Sequence, residues 1–238
     1  MLELGPADRV FVLTGAGVSA ESGIATFRDA NGLWEQHRIE DVASPEGFAA
    51  SPSTVWRFYA ARRAQAQTVA PNPAHHALAA LERRLGERYF LCTQNVDGLH
   101  EAAGSTRLVH MHGELARTRC ADPACARPPF VDDRVEFAEL PRCACGALQR
   151  PHIVWFGEVP FELERIGREI EASDVFLAIG TSGAVYPAAG LVRVIGRRRR
   201  AGARCRAIYV GLERPDNAAD FDEVHLGPAG TVVPMLLA

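Results

Sequence analysis

The sequence predicts an α/β fold, a mainly parallel sheet covered by helices on both faces, with a small second unit inserted into it. Three observations carry that prediction. The short runs Val10–Thr14, Tyr89–Thr93, Val175–Ile179 and Ala207–Val210 have the continuous apolar character of strands buried on both faces. Segments of helical periodicity separate them, which favours parallel pairing over hairpins. Between about Arg117 and Gln149 the texture changes. Four of the six cysteines, clustered prolines and little periodicity mark an insertion too poor in core residues to fold by burial alone.

At 238 residues the chain has room for one large unit carrying a small one. Its 47% hydrophobic and 23% charged residues place it among globular rather than disordered chains. A net charge of −3 gives no reason to expect nucleic acid as the main partner. The basic run Arg197–Arg200 reads as a solvated helix end whose cations offset the dipole. No stretch has the length of a transmembrane helix. The N-terminus lacks the basic region and unbroken apolar core of a secretory signal, so the expected location is cytoplasmic. There, cysteines are expected as thiols or metal ligands.

Val10–Thr14 breaks into Gly15-Ala16-Gly17-Val18-Ser19-Ala20, a G-x-G-x-x-A turn. Glycines here let backbone N–H groups approach a pyrophosphate, with a helix N-terminus behind them. Close packing of strand and helix is the other reason for such a turn. An ordinary dinucleotide fold next shows a strand ending in an acid about 20 residues on. Asn31–Glu35 instead reads as a loop, so a dinucleotide bound here is held without the usual ribose clamp.

Ser44-Pro45 and Ser51-Pro52 each pair a capping residue with proline and start helices. In the second helix Tyr59 and Arg62, three apart, share a face. Asn72-Pro73 starts another, with Leu78, Leu81 and Leu85 on one stripe and Gly86 at its end. Gln94, Asn95 and Asp97 follow a strand's C-terminal end, where open α/β sheets bind ligands. Two amides and a carboxylate suit sugar hydroxyls or a carboxamide, and an Asn-x-Asp-Gly turn is the alternative. His112, before Gly113 at the next strand exit, is a candidate general base. His110 faces the other way if the strand continues.

Regular alternation resumes at Ile153–Phe156, and a helix is expected around Leu163, Ile166 and Ile170. The strand Val175–Ile179 ends in Gly180-Thr181-Ser182. A helix near Ala188–Arg200, the strand Ala207–Val210 and a short strand near Val224–Leu226 complete the order. Cys120-x4-Cys125 and Cys143-x-Cys145 are two close pairs able to set four thiolates tetrahedrally around one structural zinc. Spare thiols and two disulfides are the alternatives. Cys92 and Cys205 read as small buried hydrophobes.

These motifs, in this order, resemble the sirtuins, NAD-dependent protein-lysine deacylases. The likeness rests on Gly15-Ala16-Gly17-Val18-Ser19, Gly23-Ile24, Phe27-Arg28-Asp29, Thr93-Gln94-Asn95-Val96-Asp97, His112-Gly113, the cysteine pairs, Val154-Trp155-Phe156-Gly157-Glu158 and Gly180-Thr181-Ser182. It runs along nearly the whole chain. It implies an inverted Rossmann-like large domain over approximately residues 1–35, 70–115 and 150–238. A small domain comes from insertions at approximately 36–69, helical, and 116–149, zinc-binding, and NAD meets acyl-lysine in the cleft between the two.

The resemblance further implies site residues. NAD is expected along Gly15, Ala16, Gly17, Ser19, Glu21, Ile24, Thr26, Phe27, Arg28 and Trp34. A second group is Gln94, Asn95, Val96 and Asp97, a third Gly180, Thr181 and Ser182, and a fourth Gly211, Leu212, Glu213 and Ala229. His112 is the implied general base, with Asn95 and Asp97 in the catalytic set on the nicotinamide side. In the family's reaction the acyl oxygen attacks ribose C1′ as nicotinamide leaves, and the histidine then helps a ribose hydroxyl attack the resulting alkylimidate. The products are free lysine, nicotinamide and O-acyl-ADP-ribose. Val154, Phe156, Gly157 and Glu158 are expected to pair with the peptide as an added strand.

Tyr59-x-x-Arg62 resembles the sirtuin subgroup that removes succinyl and malonyl groups, because a phenol and a guanidinium on one helix face bind a distal carboxylate. Two departures stand out. Where the family usually has Asn at the adenosine ribose this chain has Gly211, a loss on the order of 1 kcal/mol for one hydrogen bond, with Glu213 as a candidate offset. The cysteine spacings differ from C-x2-C at both ends. Expected partners are acylated-lysine proteins or peptides, with no membrane, and no oligomer is required. A plain deacetylase, a mono-ADP-ribosyltransferase and a non-enzymatic NAD or acyl-lysine sensor are the rival readings.

Overall fold

In the computed structural model of the chain, residues 2–24, 33–34 (backbone alone) and 37–238 are described. The expectations for Thr26, Phe27, Arg28 and the Trp34 side chain lie outside the described residues. Val10–Thr14 (β1) is followed by Leu33–Trp34 (β2), paired antiparallel with His37–Arg38 (β3). Then come the helices Ile39–Val42 (α1), Pro45–Ala50 (α2), Pro52–Ala66 (α3) and Pro73–Leu85 (α4). Ser44 caps α2, its hydroxyl accepting from Gly47 N–H at 2.9 Å. Asn72 and His75 form a reciprocal capping box on α4.

Tyr89–Thr93 (β4), Leu99–Ala102 (α5), Leu108–His110 (β5), Gly113–Cys120 (β6), Phe130–Val131 (β7) and Gln149–Ile153 (β8) form the middle of the chain. Leu163–Glu171 (α6), Val175–Ile179 (β9), Val192–Arg200 (α7), Arg206–Gly211 (β10), Glu223–Leu226 (β11) and Ala229–Leu237 (α8) complete it.

Six strands form one parallel sheet in the order β11-β10-β9-β1-β4-β5. After β1 the chain builds outward on one side through β4 and β5, then returns to build the other side from β9. The crevice beside the C-terminal end of β1 is therefore a topological switch point, the place where such sheets take ligands. Alternation along β1 divides the core. Val10 and Val12 join Leu91, Leu177 and Val210 under α4 and α8. Phe11 and Leu13 join Phe90, Phe176 and Tyr209 under α6 and α7. A third cluster gathers Val42, Phe48, Trp56 and Tyr59 of the α1–α3 helices with Leu115, Ile153 and Trp155. It backs the three-stranded antiparallel sheet β7-β6-β8.

Several local expectations change. After β1 the chain forms two 3-10 turns, Ala16–Val18 and Ala20–Ser22, in place of a regular helix, and ends them at Gly23 with φ +91°. The strand expected over Ile153–Phe156 lies earlier. Ile153 of β8 pairs with Gly113, the first residue of β6, and beyond it the backbone bonds of Val154 and Phe156 go to His112 and Ala43 outside any strand. β6 continues to Cys120, past the expected start of irregular chain, because β7 and β8 supply its hydrogen bonds. Helix α8 was outside the sequence expectation. Gly230 and Pro234 weaken its helical signal, and burial of Val233, Leu236 and Leu237 secures it. Cys92 is buried as expected, while Cys205 is only partly so. The Arg197–Arg200 run closes α7, with Arg197 and Arg199 paired to Glu171 and Asp222. Among the described residues no helix is long and apolar enough to cross a membrane.

Candidate active site

The ends of β1 and β9 lock together. Gly15 N–H donates to Ile179 O at 2.9 Å and Gly17 N–H to Gly180 O at 2.9 Å. A Cβ on Gly17 would stand 2.7 Å from Gly180 Cα. The two glycines of the turn thus serve packing first, since their own N–H groups are engaged inside the protein. Gln94 reaches the same corner, its Nε2 donating to Thr181 Oγ1 at 3.1 Å. Glu21 accepts from Gly230 N–H at 2.6 Å, which brings it beside Ala229 at the start of α8. Leu212 is exposed just beyond β10.

Beneath this corner lies a buried polar chain whose directions follow from its donors. Asn72 N–H can only donate, so His75 accepts it at Nδ1 (3.3 Å) and carries its proton on Nε2, 3.4 Å from Ser19 Oγ. Ser19 accepts from Asn95 Nδ2 at 3.0 Å as well and donates to Asp97 Oδ2 at 3.1 Å. Asp97 Oδ1 accepts from Leu99 N–H at 3.1 Å. Burial raises the Asp97 carboxyl, opposed by the Leu99 and Ser19 donors. Burial pushes His75 down to about 4 and His100 well below the usual range, so both are neutral. Sequence reasoning singled out neither histidine; the only signal was a polar residue on an otherwise apolar stripe.

Two histidines at the exit of β5 hold neighbouring carbonyls. His112 Nδ1 donates to Gln94 O at 3.1 Å, leaving the lone pair of the neutral ring on Nε2. Burial lowers its pKa, and the Gln94 carbonyl opposes this only in part. His110 meets Asn95 O at 2.8 Å through Nδ1 and Glu101 Oε1 at 2.7 Å through Nε2. Burial disfavours its charge, but the Glu101 carboxylate and the Asn95 carbonyl outweigh it and the pKa rises. With acceptors on both nitrogens, the charged form of His110 is favoured. Gly113 follows His112 at φ +86°, and its missing Cβ lets β8 pass at His152 and Ile153.

Tyr59 and Arg62 are both buried on α3. Tyr59 Oη accepts from Trp155 Nε1 at 3.0 Å, and burial drives its pKa far up. Arg62 lines a pocket with Ile24, Gln65, Ala66, Val96, Asp97 and Leu115, its guanidinium over the Phe58 ring. The neighbouring Arg63 is committed elsewhere. It donates to Leu115 O at 2.6 Å and Thr118 Oγ1 at 2.9 Å and pairs with Asp132 at 3.3 Å.

The segment after β8 is anchored to the protein at two backbone N–H groups. Val154 N–H donates to His112 O (2.9 Å) and Phe156 N–H to Ala43 O (3.0 Å). Gly157 turns the chain at φ +87°. Glu158 is held by Arg150 at 2.6 Å, Arg119 at 3.3 Å and Trp155 N–H at 2.8 Å, with Arg150 stacked on the Trp155 ring. Phe156 stays exposed.

Cys120, Cys125, Cys143 and Cys145 converge with all four sulfurs within 4.8 Å of one another and none in a disulfide. The pairs Cys120–Cys145 and Cys125–Cys143 are 3.5 and 3.8 Å apart. A tetrahedron of Zn–S bonds of about 2.3 Å has edges of about 3.8 Å, so the four residues fit a closed zinc site.

Residues 15–187 match the family model described as the Sir2 family. An NAD-dependent protein deacylase of Salmonella typhimurium is 49% identical over 231 residues, 95% of this chain and 81% of that protein. A Sir2 homologue solved as its NAD complex superposes with a TM-score of 0.87 at 41% identity, covering 97% of this chain and 89% of the other. A Sir2 protein bound to acetylated peptide gives 0.81 at 25% identity over 96% and 92% of the two chains.

Proposed function

The chain belongs to the Sir2 family, and from that premise we propose that it removes succinyl and malonyl groups from protein lysines, and acetyl groups as well. Its activity class is NAD-dependent protein deacylase, with acyl-lysine peptide as substrate. The observation that carries the acyl preference is Arg62. Its buried guanidinium lines the pocket that also holds Val96 and Asp97, and a carboxylate at the far end of an acyl chain is the counter-charge suited to it. Tyr59, one turn earlier on α3, is proposed as the second residue toward that carboxylate.

The residues present fit NAD. When bound, NAD supplies the electrophilic ribose carbon of the reaction. Asn95 and Asp97, both bonded to Ser19, would hold the NAD carboxamide. Gln94 and the Thr181 hydroxyl form one bonded corner against the ribose side. His112 takes a proton at Nε2, and burial keeps that nitrogen unprotonated at neutral pH. Cys120, Cys125, Cys143 and Cys145 hold one structural zinc with no open position. The reducing cytoplasm, which keeps these thiols unpaired, is the compartment this chemistry suits.

The test is mass spectrometry of one lysine peptide in succinylated and acetylated forms, with and without NAD. Faster NAD-dependent loss of succinyl is expected. Acetyl loss alone would leave the activity class intact and remove the acidic-acyl assignment.

A further inference from the structure

Gly211 ends β10 on the same face as Tyr209, two residues earlier. No side chain fits at 211 while Tyr209 keeps its place. A Cβ there would stand 2.7 Å from Tyr209 Cζ and 2.9 Å from Cε1, and nearer still to the hydroxyl. The backbone of Gly211 is not in the left-handed region, so the tyrosine, not the main chain, demands glycine.

The buried phenol donates its hydroxyl to Thr181 O at 3.0 Å. Thr181 in turn accepts Gln94 Nε2 at its own hydroxyl, and Gly180, one residue back, accepts from Gly17 N–H. Gly180 N–H closes the circuit on Val210 O at 2.8 Å. Tyr209 therefore ties the C-terminal end of β10 to those of β9, β1 and β4, along the edge where an open parallel sheet takes its ligand.

We propose that Tyr209 and Gly211 act as one unit, in which Tyr209 is a positioning residue for the nucleotide site and Gly211 is the space that admits its phenol. The unit holds the 180–182 turn in register with Gly17 and Gln94 and so sets the affinity for the ADP-ribose half of the co-substrate. This rests on the reading of that edge as the NAD site. The absence of a side chain at 211 is then no simple loss of a ribose contact, because the strand uses the space to brace the turn.

Calorimetry with ADP-ribose and steady-state kinetics on the full chain test the proposal. Tyr209→Phe keeps the ring and removes one buried hydrogen bond. It is expected to raise the ADP-ribose Kd and the KM for NAD by roughly three- to tenfold, with the peptide KM and kcat within twofold of wild type. Gly211→Ala is expected to give the same phenotype, and to add nothing in a Tyr209→Leu background. Tyr209→Phe binding ADP-ribose as wild type does would overturn the proposal while leaving the NAD-site reading intact. Multiplying effects of Gly211→Ala and Tyr209→Leu would also overturn it. A folded wild-type protein that fails to bind ADP-ribose would remove the site reading, and the proposal with it.

Discussion

His110 and His112 clamp consecutive carbonyls of the segment after β4: His110 holds Asn95 O at 2.8 Å and His112 holds Gln94 O at 3.1 Å. Their charge states are opposite. His110 has a carboxylate, Glu101, on its second nitrogen and rises, while His112 has only burial against it and falls. The same local motif thus favours the charged ring at His110 and the neutral ring at His112.

Side-chain NMR titration is expected to find His110 above the ordinary histidine value of 6.5 and His112 below it. Glu101→Gln should bring His110 down and leave His112 in place. Glu114, Asp97 and His100 also lie near His110, and Glu114 adds to its rise. Titration of both rings together would contradict the assignment.

His112→Gln is expected to reduce turnover by roughly 10²–10⁴-fold, the usual contribution of a general base, with ADP-ribose binding retained. In the wild type the acid limb of kcat/KM should lie below pH 6.5, because the base keeps its lone pair until it is protonated at its lowered pKa. A variant with undiminished turnover would take His112 out of the reaction.

Arg62 and Arg63 are adjacent and should behave unlike each other. Arg62→Met is expected to lower desuccinylation far more than deacetylation. Arg63→Met leaves Asp132 its Arg134 partner at 2.6 Å but removes the donor to Leu115 O and Arg117 O and should destabilise by roughly 1–3 kcal/mol. Denaturant melts and paired kinetics separate the two. An equal fall in both activities for Arg62→Met would remove it from acyl recognition.

Acid should weaken the fold through His75. Its pKa is lowered to about 4 from 6.5, so between those values the unfolded chain binds more protons than the folded one. Stability is full above pH 6.5 and falls as pH drops toward 4, by about 3 kcal/mol for this group alone. Urea melts across that window check the slope, which His75→Asn should flatten.

One zinc per chain is expected by native mass spectrometry. Its removal by chelation should unfold the part around β6–β8, because the 121–148 chain between β6 and β8 has only the short β7 and few buried apolar side chains of its own. A metal-free protein with unchanged circular dichroism and melting would contradict this.

The sequence by itself determined the strands of the main sheet, the helix starts at Pro45, Pro52 and Pro73, the cysteine quartet and the glycine turn after β1. These are local signals: apolar runs, capping residues beside proline, and close cysteine spacing. Tertiary structure decided what each polar side chain does. It committed Arg63 to β6 and left Arg62 lining the pocket, though both stand on one helix. It gave Glu158 to Arg150, replaced the expected strand at Val154–Phe156 with a turn, and formed α8 through burial against local propensity. It also raised the pKa of His110 through Glu101 and filled the space above Gly211 with Tyr209. Charge state, hydrogen-bond partner and available room depend on atoms brought in from distant parts of the chain, and no pattern of near neighbours encodes them.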